Sequence, residues 1–78
     1  MLSMKRGDRS LEVMLGAQKR FGDVYAVNNG LSYAYSATGD YANAMEFANK
    51  ALAQAPPAAK ATVTANIEKL KAGKDVSQ

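Results

Sequence analysis

The chain has 78 residues, ten basic and seven acidic, for a formal charge of +3, and it contains neither cysteine nor histidine. A length like this makes one small domain that buries only about 60% of its unfolded surface. The two absent residue types exclude disulfides, thiolate and imidazole metal sites, and the commonest general base.

Hydrophobic residues make up 47% of the chain and charged residues 22%, which together with clear periodicity argues for a folded helical protein over a disordered one. Residues 1–8 read as a flexible N-terminus. Met1–Arg6 lacks the apolar stretch of a signal peptide, and no run approaches the roughly 18 apolar residues that span a bilayer, so the cytoplasm is the expected compartment.

The helical domain is expected over 9–72. Its first segment, about 9–21, carries Leu11, Met14, Leu15 and Phe21 at helical steps, with Gln18 interrupting the stripe. Gly16 inside it costs about 1 kcal/mol relative to alanine. The second segment, about 24–38, places Val24, Val27, Leu31, Ala34, Tyr35 and Thr38 on one face, although Asn28, Asn29 and Gly30 weaken its middle. The third, about 41–54, does the same with Tyr41, Ala44, Met45, Ala48, Ala51 and Leu52, followed by Ala55.

Gly-Asp recurs at Gly7-Asp8, Gly22-Asp23 and Gly39-Asp40, each pair suited to stop one helix and cap the next. Pro56-Pro57 ends the third helix and starts a fourth, about 58–72, since proline suits a first turn. That helix sets Ala59, Val63, Ile67 and Leu70 on one face, with Lys60, Thr64, Asn66, Glu68, Lys69 and Lys71 around the rest. One apolar stripe with a polar back is what a terminal capping helix needs. Residues 73–78 read as a frayed tail. The expected centre of the core is Leu31, Tyr35, Ala44, Met45, Ala48, Leu52 and Ile67.

Gly22, Gly39, Pro56 and Gly73 stand seventeen residues apart, half of a 34-residue period. Leu31, Ser32, Tyr35, Gly39, Tyr41, Ala44, Ala51 and Pro56 sit at the spacings of the tetratricopeptide repeat, and the chain resembles that family over one full repeat, about 25–58. Asn28 replaces the family's bulky aromatic, and Ala48 replaces a large residue that Phe47 precedes. From about Arg6 to Val76 the chain is also similar to the helical C-terminal tail of an uncharacterised bacterial protein family, where a β-rich domain comes first. The resemblance implies an all-α fold: a short antiparallel helix–turn–helix stack of about four helices forming a right-handed superhelical fragment. In such a stack the first segment takes the place of a second helix, with apolar residues for two neighbours.

The resemblance also implies a groove lined by Ala26, Asn29, Tyr33, Ser36 and Ala37, where asparagine and tyrosine among small residues grip a peptide. Lys60 matches a position that some family members use to clamp a carboxyl terminus, but Gly30 stands where that clamp needs asparagine. Leu11, Met14 and Leu15 form a second candidate surface, on the N-terminal helix, and a two-fold dimer is the simplest way to cover it, with Met1, Leu2 and Met4 adding apolar area.

The acidic residues are scattered and three of them are explained as caps, so no catalytic set, metal site or cofactor is expected. The expected function is a non-catalytic protein–protein interaction module that binds a peptide or partner helix through its groove or its N-terminal end. The alternative is a structural C-terminal capping segment of a larger protein. Nucleic-acid binding through Arg6, Arg9, Lys19 and Arg20 stands behind both, because the basic residues are not concentrated on one face.

Overall fold

The computed structural model describes residues 6–76 as four helices: α1 (Arg6–Phe21), α2 (Tyr25–Ala37), α3 (Tyr41–Gln54) and α4 (Pro57–Lys71). The protein is all-α. α2 packs on both α1 and α3, and α3 packs on α4. Tyr35 stacks on Phe47 beside the α2–α3 hinge while Asn28 meets Gln54 at the far end, so these two helices run antiparallel. The shortest dimension of the Cα trace is 17 Å, the depth of about two packed helices at 8–10 Å spacing.

The hinges fall where the sequence puts them. Gly22 and Gly39 have φ of +79° and +87°, a left-handed conformation that side-chain-bearing residues rarely adopt. Asp40 caps α3 by accepting from the Asn43 backbone N–H at 3.3 Å, and Pro57 occupies the first turn of α4. Two of the three Gly-Asp pairs depart from expectation. Gly7-Asp8 lies inside α1, which begins at Arg6, so residues 6–8 belong to a helix; residues 1–5, with Met1, Leu2 and Met4, lie outside the described part. Asp23 is not a cap either. Val24 holds the N-cap position of α2 without a side-chain bond, and the Asp23 carboxylate turns instead toward Asn28 and Gln54.

The core is built from small residues on α3 and larger ones on α4. Ala44, Ala48, Ala51 and Ala55 are buried together with Val63, Ile67, Leu70 and Val76, and Leu31, Val27 and Ala34 are buried on α2. Of the expected centre, Leu31, Ala44, Ala48 and Ile67 are buried, whereas Tyr35, Met45 and Leu52 are half-buried at its margin. The alanines of α3 bring the backbones close, and that proximity leaves the bulkier side chains at the edges. Val24, placed on the apolar stripe by periodicity, is exposed because it precedes the helix.

The C-terminal segment corrects a second expectation. Gly73, with φ of +74°, turns the chain back after α4, and Val76 is buried in the core cluster. Ser36 fastens this return: its hydroxyl donates to Asp75 Oδ1 at 2.6 Å and accepts from the Val76 backbone N–H at 2.8 Å. Asp75 and Val76 are therefore docked on α2, while 77–78 lie outside the described part.

Candidate functional site

α1 is amphipathic with a narrow buried stripe. Leu11, Met14, Ala17 and Gln18 are half-buried toward α2, and Arg9, Glu12, Gly16, Lys19 and Arg20 share the opposite, exposed side. Val13 and Leu15 flank the stripe on its two edges, at 64% and 38% exposure. Of the predicted N-terminal surface, Leu11 and Met14 are thus mostly spent on α2. Leu15 is free, and Val13, unremarked in the sequence, is the most exposed apolar side chain of the helix. Its signal was faint: one valine one step off the stripe.

Val13 borders an open cleft of about 440 Å³ between α1 and α2. α1 contributes Arg9, Ser10, Val13 and Met14; α2 contributes Gly30, Tyr33, Ala34 and Ala37. Gly30 makes the local packing possible. A Cβ at that position would lie 2.3 Å from Met14 Cε and 2.9 Å from Sδ, so the absence of a side chain lets the thioether lie against the α2 backbone. Among the described residues the cleft is lined by apolar ones apart from Ser10, Tyr33 and Arg9, and none of them is acidic.

The predicted groove residues separate into three groups. Tyr33 and Ala37 line the cleft. Ser36 does not: it is 1% exposed, and its hydroxyl is committed to Asp75 and Val76. Ala26, Asn29 and Lys60 do not line the cleft; Ala26 and Lys60 are exposed and Asn29 is half-buried. Tyr33 is further fixed from the other side, where its hydroxyl accepts from Asn66 Nδ2 at 2.8 Å. Asn66, assigned to the polar back of α4 by its sequence neighbours, is in fact buried toward α2.

A polar staple closes the opposite end of α2. Asn28, 1% exposed, donates through Nδ2 to Asp23 Oδ1 at 2.5 Å and Gln54 Oε1 at 2.7 Å. Gln54 Nε2 in turn donates to the Asp23 carbonyl at 3.0 Å and to Oδ1 at 3.3 Å. The Asn28 amide, with help from Gln54 and Lys50, holds the Asp23 carboxyl below the usual aspartate range despite the opposing effect of desolvation. The staple joins the α1–α2 loop to the end of α3 and shares no residue with the cleft lining. Among the described residues no three acidic side chains converge on a possible metal position, and no helix is long and apolar enough to cross a membrane.

Neither protein-family models, nor curated proteins, nor solved structures give a match to this chain.

Proposed function

We propose that the protein is a non-catalytic interaction module that engages a protein or peptide partner at the α1–α2 cleft. The observation carrying this reading is the cleft itself: an open, mostly apolar trough whose walls are set by packed helices and whose floor includes the Met14–Gly30 contact. Apolar walls with few polar groups suit a side-chain anchor, and rigid walls reduce the entropy lost on binding. The resemblance to the tetratricopeptide repeat supports the same class of use.

The test is a selection of helical and extended peptides against the immobilised full chain, with the binding site mapped by amide chemical shifts. Selected peptides should shift Val13, Tyr33 and Ala34 and lose affinity on Val13→Asp and on Tyr33→Ala. Binders indifferent to both substitutions, or no specific binder at all, would reject the reading.

A second reading, a structural segment that finishes the helical tail of a larger protein, is favoured by the way the α4 end closes. α4 turns Lys60, Thr62, Thr64, Glu68, Lys69 and Lys71 outward, and Val76 covers the core beside it. Under this reading cleft substitutions change stability and leave binding untouched.

A further inference from the structure

The internal period of the chain supplies a template for what the cleft holds. One period of 34 residues carries Ser10, Val13 and Met14 of α1 onto Ala44, Phe47 and Ala48 of α3. The same step carries Tyr33 of α2 onto Ile67 of α4. In the later repeat these positions hold a helix. Ala44, Ala48 and Ile67 belong to the cluster against which Tyr25, Tyr33 and Tyr35 of α2 pack, and Phe47 stacks on Tyr35 with ring centroids 5.5 Å apart. In the earlier repeat the same four positions border the open cleft.

Charge then narrows the occupant. Among the described residues Arg9 is the one charged side chain lining the cleft, α2 contains no ionisable acid or base other than tyrosine, and the described exposed side of α1 adds Lys19 and Arg20 against Glu12. A second copy fits poorly. Its exposed apolar residues Val13, Leu15 and Phe21 lie on α1 and Val24 just after it, so docking the α1 face would bring Arg9, Lys19 and Arg20 toward the same basic residues of the other copy.

We propose that the cleft is the seat of an acidic amphipathic helix from a partner protein, lying across α1 and α2 as α2 lies across α3 and α4, with carboxylates facing Arg9. The proposal rests on the interaction-module reading and specifies its partner. The partner's apolar face meets Val13, Met14 and Tyr33, and its acidic flank sets the orientation and speeds association at low salt.

Two stapled helical peptides test it. Both carry the α2 sequence of Tyr25–Ala37; one is flanked by glutamates and the other by lysines. Each is titrated into the isotope-labelled full chain. The glutamate peptide should bind about tenfold tighter at low ionic strength, with the gap shrinking as salt screens the charges. Its shifts should centre on Val13, Met14, Tyr33 and Ala34. Arg9→Glu should invert the preference, and Val13→Asp should weaken both peptides while circular dichroism stays unchanged, since Val13 is mostly exposed. Equal affinities, shifts centred on Phe21 and Val24 or on α4, or a self-association that Val13→Asp abolishes would each overturn the proposal. If neither peptide binds while the peptide selection described above yields cleft-independent or extended binders, this seat falls and the broader interaction reading stands on those binders' site. If the selection fails as well, both fall.

Discussion

Asn28→Ala isolates the staple that ties the α1–α2 loop to the end of α3. The amide is buried and donates to both Asp23 and Gln54, while its two partners are exposed and regain water when it is removed. Losing a buried amide with its hydrogen bonds costs about 1–3 kcal/mol, and alanine's better helix propensity returns about 0.6 kcal/mol. The net destabilisation is about 0.4–2.4 kcal/mol, which at about 4–8 °C per kcal/mol in a domain of this size lowers the melting temperature by about 2–19 °C. Thermal unfolding followed by circular dichroism at neutral pH reads that change directly.

The same substitution has a pH signature. The Asp23 carboxyl is held below its ordinary value, chiefly by the Asn28 amide, so its contribution is present above the unfolded aspartate pKa of about 3.9 and disappears as pH falls through the lower folded value. The gap between wild type and Asn28→Ala should therefore be widest at neutral pH and narrow in strong acid. Asp23→Ala and Asn28→Ala should also be non-additive at neutral pH, because each removes one partner of the same bond. An equal gap at neutral and strongly acidic pH, together with additive single effects, would show that Asn28 merely fills space and that the staple contributes nothing.

Leu31→Ala, at a position with no exposure, should cost about 2–5 kcal/mol and bring the domain close to unfolding at room temperature; a melting temperature within error of wild type would refute its central place. Gly39→Ala should destabilise by about 1–2 kcal/mol because φ is +87°, while Gly16→Ala, in open space on an exposed helical turn, should stabilise by about 1 kcal/mol; opposite signs in denaturant melts are the check. Ser36→Ala should release the C-terminal return, read as faster amide exchange at Val76 with the four helices intact, and unchanged exchange would show that burial of Val76 alone suffices. Gly30→Ala should drive the Met14 tip out of its contact, and pairing it with Met14→Ala should recover the helix-propensity gain of about 1 kcal/mol.

The helices and hinges were legible because their determinants are local. A left-handed glycine, a capping aspartate and a proline in a first turn act within a few residues, and the apolar stripes of α2 and α3 run at helical steps. What local pattern could not show is where polar side chains go once helices meet. Asn28 reads as a weak point, Ser36 as a groove residue and Asn66 as part of a polar back, and each is buried with a partner far along the chain: Gln54, Val76 and Tyr33. The groove expectation failed at Ser36 for the same reason, since its partners, Asp75 and Val76, are decided by the path of the chain after Gly73. The cleft was half legible. Tyr33 and Ala37 come from the repeat resemblance, while Arg9, Ser10 and Val13 lie on a helix whose wall-forming side is fixed only by how it docks.

The internal repeat is imperfect in a way that explains how α1 sits. At the two positions where α3 and α4 carry Ala48 and Thr64, α1 and α2 carry Met14 and Gly30. The two pairs are not equivalent in the fold: Thr64 is turned outward, whereas a Cβ on Gly30 would lie 2.3 Å from Met14 Cε, so only on α1 and α2 does the bulk of one residue require the other to lack a side chain. Small residues on α3 let α2 approach it closely; a long, flexible residue on α1 needs the glycine on α2 to lie flat. The contact therefore sets the spacing of α1 from α2, and with it the width of the trough that Val13 and Tyr33 border. A change at Gly30 thus alters the shape of the candidate site from its floor, without touching any side chain that a partner would meet first.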